Sequence, residues 1–270
     1  MKKFSYLLII AAGLMSSGCS RNDLFEYDTE PPLEPINVVA WSGDNRVDIS
    51  WDENTERDVA GYNVYYSTSY NGKYTLIGST KDNYYVDYKA VNGDTYYYAV
   101  TAYDYDNNES ELSRDVVYST PRPEGLNKVI ADYINYPDIS GYDFSAYSVV
   151  NYKDGDFFFE NSQGDLYLNV FDDSRIVDMG ATKDIYDITD SPSLENSTAL
   201  SLKAIAGHTY VIRTWDSHYA KVRIYSLSNV KCTFDWAYQL NKGVRALKTN
   251  TIRSRNTKEL VKEFLNRKSK

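Results

Sequence analysis

The sequence predicts an all-β protein: two β-sandwich-like domains in series, followed by a short C-terminal helix. Three observations predict it. Apolar residues recur at every second position in short runs, as at Val47, Ile49 and Trp51 against Asp48 and Ser50, and residues two apart share one face of a strand. Turn formers separate the runs, among them the hairpin dipeptide Asn71-Gly72. Tyr outnumbers Phe by 27 to 9, a bias towards strands and towards surfaces with an apolar body and a wet tip. A chain of 270 residues with 42% hydrophobic content is long enough to bury two cores.

The chain opens with Lys2 and Lys3, an apolar run from Phe4 to Met15, and then Ser16-Ser17-Gly18-Cys19. The run is shorter than the ~20 apolar residues a spanning helix needs, so residues 1–18 read as a cleaved secretory signal. Their end resembles the lipobox of bacterial lipoproteins. That resemblance implies cleavage before Cys19, acylation of Cys19 (palmitate among the chains), and attachment to the cell outer membrane. Residues 19–30 read as a lipidated tether within a polar, Pro-punctuated stretch that continues to Pro35. Asp23 and Glu26 just after the cysteine resemble the export signal of lipoproteins displayed on the cell exterior. With Cys19 acylated, Cys232 is the one remaining cysteine and no internal disulfide is expected.

Residues 31–122 form the first domain. Trp51 ends a run, and Gly61-Tyr62 opens the next with Val64 and Tyr66. Gly93-Asp94-Thr95-Tyr96 precedes Tyr98, Val100 and Ala102, and Asn108-Glu109-Ser110 precedes Ser113. With Pro35 near the start, these landmarks together resemble a fibronectin type III domain. The resemblance implies a seven-stranded Greek-key sandwich. It makes Trp51 the core tryptophan and Tyr96 the tyrosine-corner residue, whose hydroxyl bonds back to the backbone; both are structural. Pro121-Arg122-Pro123-Glu124-Gly125 reads as an extended, stiff joint.

Residues 123–241 form the second domain, with seven candidate strands: 157–159, 166–171, 175–179, 200–205, 209–215, 220–227 and 230–238. In the last, Val230, Cys232, Phe234, Trp236 and Tyr238 face one way. The loop 181–196, with Pro192 and four carboxylates, is the irregular excursion where binding would sit. Residues 207–239 resemble the C-terminal β domain of uncharacterised bacterial surface lipoproteins, and more distantly that of haem-capturing ones.

Residues 242–270 form a basic tail. They carry ten Lys or Arg and two Glu, a net +8 against −9 for the whole chain, which leaves −17 for residues 1–241. Such an acidic body argues against nucleic acid as a partner. The tail reads as coil until Asn256. From there Asn256-Thr257-Lys258-Glu259 resembles a capping box before the apolar stripe Leu260, Val261, Phe264 and Leu265.

The chain offers no catalytic set. Its two histidines, His208 and His218, bracket a strand and would stand ~20 Å apart or more at ~3.3 Å per residue. One metal ion or haem cannot take both, so no cofactor and no metal site are expected. The run Asp104-Tyr105-Asp106-Asn107-Asn108-Glu109 looks superficially like a calcium loop but reads as turn chemistry. Asp154, Asp156, Asp172 and Asp173 offer carboxylates with no spacing that singles out a pair. Ligand contacts fall instead to aromatic side chains: Trp215 and Tyr219 beside the turn Asp216-Ser217-His218, and Tyr142 and Tyr147 around Asp143. The expected function is that of a non-enzymatic, surface-displayed envelope lipoprotein. Its first domain is a spacer and its second binds polysaccharide or an envelope protein. The competing expectations are a glycan-acting hydrolase or its accessory subunit, and a structural partner in an envelope complex.

Overall fold

The computed structural model describes residues 28–247 and 251–254. Cys19, the signal and the helix expected after Asn256 lie outside the described residues. Within them the protein is all-β, with four antiparallel sheets forming two sandwiches in series.

The first sandwich comprises β1 (Val39–Gly43), β2 (Arg46–Ser50), β3 (Val59–Ser67), β4 (Thr75–Thr80), β5 (Tyr84–Asp87), β6 (Tyr96–Asp104) and β7 (Asp115–Ser119). One sheet runs β1-β2-β5, and the other carries β4-β3-β6-β7. This is the strand order of the fibronectin type III sandwich. The period-two pattern decides which side chains meet: Val47, Ile49, Val64, Tyr98, Val100 and Val117 are fully buried between the sheets. Trp51 is buried with them and packs edge-on against Tyr62 at 5.2 Å. Tyr96 makes the corner, its hydroxyl accepting the Val91 N–H at 3.1 Å. Gly93, at φ +90°, turns the chain there. Asn71-Gly72 lies in the β3–β4 connection, which spans residues 68–74 and is longer than a tight hairpin.

The second sandwich comprises β8 (Glu124–Ala131), β9 (Gly141–Asp143), β10 (Ser148–Val150), β11 (Phe157–Ser162), β12 (Asp165–Asn169), β13 (Arg175–Ala181), β14 (Ser201–Lys203), β15 (His208–Arg213), β16 (Tyr219–Leu227) and β17 (Lys231–Gln239). Its sheets run β10-β9-β11-β12-β14 and β13-β15-β16-β17-β8. The first domain's pairing recurs inside it. The trio β11-β12-β14 matches β1-β2-β5, and β13-β15-β16 matches β3-β6-β7. A second tyrosine corner sits at the same crossover: the Tyr210 hydroxyl accepts the Ile205 N–H at 3.0 Å and donates to the Lys203 carbonyl at 2.6 Å. Gly207, at φ +85°, stands where Gly93 stands. Both corners read Ala-(Val/Ile)-x-Gly-x-Thr-Tyr, over 90–96 and 204–210. Strands β8, β9, β10 and β17 extend this shared frame.

Aromatic rings fill the core between the two sheets. Phe144 stacks on Phe157 at 5.5 Å and on Tyr238 at 5.6 Å, and Tyr142 meets Phe234 edge-on at 5.3 Å. Cys232 is fully buried among these residues, and burial pushes its thiol far up from the ordinary range. That makes it a small core residue rather than a nucleophile.

Three stretches differ from the sequence expectation. The loop 181–196 is not a free excursion. Leu194 and Ile188 pack with Val177, Met179, Val211, Tyr219 and Leu247 over the outer face of β13, β15 and β16. The Lys221 ammonium, fully buried beneath it, donates to the Ile188 carbonyl at 2.7 Å. The loop covers the sheet because β15 is apolar on both faces, and each face needs a cover. The basic tail, expected as coil to Asn256, includes β18 (Thr251–Ser254), which pairs antiparallel with β7. An open edge strand is a ready template for such pairing. The joint at 121–125 is the third. Glu124 and Gly125 already belong to β8, and Arg122 is 1% exposed. Burial pushes its guanidinium down to about 10, with Glu124 and Tyr186 opposing that shift. The Arg122 backbone N–H donates to the Gly43 carbonyl of the same sandwich at 3.2 Å, and the Asn241 side-chain amide of the second sandwich donates to the Gly93 carbonyl of the first at 3.1 Å. The two sandwiches are therefore seated directly on each other.

Candidate binding surface

Two of the aromatic segments singled out in the sequence, 142–147 and 215–219, meet at one end of the second sandwich. Strand pairing brings in the first: Tyr142 opposes Phe157 across β9 and β11. That register places Asp156, just before β11, against the β9 exit, where its carboxylate accepts the Phe144 N–H at 2.8 Å. Asp143 holds the bend with an Asx turn, Oδ1 accepting from the N–H groups of Ser145 at 2.8 Å and Ala146 at 3.1 Å. The chain then turns through Tyr147 at φ +55°, and that ring stacks on Trp236 at 5.7 Å.

The second segment is the tight β15–β16 turn. Thr214 donates its hydroxyl to Asp216 at 2.5 Å, and His218 Nδ1 lies 2.9 Å from Asp216 Oδ2. The His218 ring packs 5.5 Å from Tyr238, which also stacks on Phe144. Tyr238 thus links the two segments.

Charge is unevenly distributed over this surface. Burial, then the nearby carboxylates of Asp143 and Asp216, push Asp156 up to about 6, against the opposing Phe144 N–H and His218. Burial also acts to raise Asp216, but the Thr214 hydroxyl and His218 outweigh it and hold that carboxyl below its ordinary value. Two carboxylates facing one surface are therefore driven in opposite directions. Asp44, on the β1–β2 turn of the first sandwich, adds to burial in raising Tyr147, so the first domain borders this surface.

The candidate ligand residues separate by exposure. Trp215 is 67% exposed and Tyr147 45%. Tyr142 is fully buried, which corrects its place among the ligand contacts: the β9 register turns its ring inward against Phe144, Phe157, Phe234 and Trp236. Tyr219 is corrected likewise. At 6% exposed, it is covered by Leu194 and Leu247 on the outer face of β16. Sequence reasoning did not single out Asp156, Asp216 or His218 as one group, because strands far apart in the chain bring them together.

The remaining polar motifs are accounted for locally. Asp104 is a buried turn residue, its Oδ1 accepting the N–H of Asp106 at 2.9 Å and of Asn108 at 2.8 Å. Glu109 accepts the hydroxyls of Tyr65 at 2.6 Å and Thr101 at 2.5 Å. His208 pairs with Asp178 at 3.0 Å, apart from the His218 pair. Among the described residues no three His, Cys, Asp or Glu side chains converge as a metal-binding group, and no helix is long and apolar enough to cross a membrane.

No family model matches this chain. Over 112 residues it is 37% identical to an amylopullulanase of Thermoanaerobacterium saccharolyticum, a match that takes in 40% of this chain and 9% of that one. A solved Fn3-like protein from Clostridium thermocellum aligns at 26% identity with a TM-score of 0.26, covering 32% of this chain and 85% of its own. A solved DUF4466 family protein from Parabacteroides merdae aligns at 9% identity with a TM-score of 0.39, covering 73% of this chain and 93% of its own. The chain spans less than a tenth of the length of the curated relatives it matches.

Proposed function

We propose that this chain is a non-enzymatic lipoprotein of the cell outer membrane, anchored by lipid on Cys19 and facing the cell exterior, whose second domain binds polysaccharide. The observation that carries the reading is the pair of exposed rings, Trp215 and Tyr147, on segments that the fold joins beside Asp143, Asp156 and Asp216. A pyranose lays its C–H face on such a ring, and its hydroxyls donate to carboxylates. The likeness to a short stretch of an amylopullulanase supports an accessory role beside glycan-degrading enzymes. The first sandwich, seated through the Asn241–Gly93 bond, would fix the orientation in which the second is presented.

Two experiments test this reading. Retardation of the purified soluble chain in native gels containing soluble neutral glucans reads binding. Trp215→Ala and Tyr147→Ala are each expected to weaken it about tenfold, the size of effect typical of aromatic anchors. Unchanged mobility in both variants excludes this surface. Separately, Cys19→Ala is expected to move the protein from the membrane pellet to the supernatant after carbonate washing. Retention in the pellet overturns the anchor.

One observation favours a second reading, a surface glycan hydrolase. A carboxyl at about 6 beside one held low is the arrangement that supplies an acid and a base. Release of reducing sugar by the wild type, abolished by Asp156→Asn, would establish it.

A further inference from the structure

The first sandwich carries a feature that a passive spacer does not need. Tyr97 on β6 and Tyr118 on β7 are cross-strand partners, and their rings lie 5.7 Å apart. Tyr70, from the β3–β4 connection, adds a third ring 6.1 Å from Tyr97. None of the three belongs to the core between the sheets. They line a cleft of about 300 Å³ together with Asn241 of the second domain and Val244 just after it. Thr95 and Thr120 also line it, with their hydroxyl oxygens 2.9 Å apart. Clefts of this size, at a domain junction, with aromatic walls and a few polar groups, are where small ligands and single sugar units bind.

The lining decides what kind of ligand fits. Among the described residues, every one that lines the cleft is uncharged, in a chain whose residues 1–241 sum to −17. The described lining therefore offers no counter-charge to an anion and no ion pair to a cation. Three ring surfaces supply apolar contact, while phenol, threonine hydroxyl and asparagine amide groups supply donors and acceptors. A neutral molecule with alternating apolar faces and hydroxyls meets both demands.

We infer that this interdomain cleft is a second saccharide-binding site, built jointly by Tyr70, Tyr97 and Tyr118 of the first sandwich, Asn241 of the second, and Val244 just after it. The first domain then takes part in recognition, and the seating of the two domains shapes the site. This inference rests on the glycan reading above, but it places a distinct site away from Trp215 and Tyr147.

The test uses the full soluble chain in native gels containing amylopectin or barley β-glucan. Val244→Arg puts a long side chain into the cleft from a position 40% exposed, so folding is not at stake. Tyr70→Ala removes one wall. Both are expected to weaken retardation about tenfold in at least one glucan, and the effect should persist in a Trp215→Ala background. Wild-type mobility for both variants, in a gel that retards the wild type, overturns the cleft and leaves the loop surface standing. Absence of retardation of the wild type in either glucan overturns the glycan reading itself, and the cleft with it.

Discussion

Tyr210→Ala is expected to destabilise the second sandwich by about 3–5 kcal/mol, the range for deleting a large buried aromatic side chain. The ring is fully buried in the aromatic core, and its hydroxyl ties the Ile205 N–H and the Lys203 carbonyl to the start of β15. Tyr210→Phe separates the two contributions. It keeps the ring and loses two hydrogen bonds, at about 1–3 kcal/mol. The hydroxyl pKa is pushed up to about 12 by burial, so it stays protonated at any working pH. Urea unfolding followed by Trp fluorescence checks both values, with Trp236 reporting from the same core. A Phe variant as stable as wild type would mean that the corner is held by packing alone.

Asp156→Asn is expected to raise stability at pH 8 by about 3 kcal/mol, from a displacement of about two pH units at 1.36 kcal/mol each. The native carboxyl titrates at about 6 against an ordinary 3.8. The folded state therefore holds this proton more tightly than the unfolded one. Its contribution to stability is fully present below about pH 4 and is lost as pH rises through about 6. Asp216 and Asp104, both held low, give the opposite slope and gain stability as pH rises. Subtracting the variant's stability profile from that of the wild type removes their part and isolates Asp156. The asparagine carbonyl still accepts the Phe144 N–H, so the loop geometry is kept. A difference that is flat between pH 4 and pH 7 would show that water reaches the carboxylate and that the surface is less enclosed than its geometry indicates.

The balance of legible and hidden features follows from the range of the forces involved. Alternation at Val47, Ile49 and Trp51, or at Cys232, Phe234, Trp236 and Tyr238, needs only the geometry of a strand, so the β class and most of the strands were readable. The first corner was readable for the same reason, since Gly93 and Tyr96 act within one turn. The second was equally local, at Gly207 and Tyr210, but surrounding strands without a familiar pattern concealed it. Nearness to a turn or an irregular segment misplaced Tyr142 and Tyr219 among the exposed rings. Local sequence shows a turn, and only packing decides whether the ring beside it is covered; Phe157 and Leu194 cover these two from elsewhere in the chain. The grouping of Asp156, Asp216 and His218 lay further beyond local reading, since burial and charge act through space between residues some sixty positions apart. The sequence by itself determined the alternation and the turns, because each is a property of neighbours along the chain. The tertiary structure alone decided which aromatics remain exposed, which carboxylates share a surface, and that a tyrosine-lined cleft lies between the domains, because each depends on which distant segments exclude water from one another.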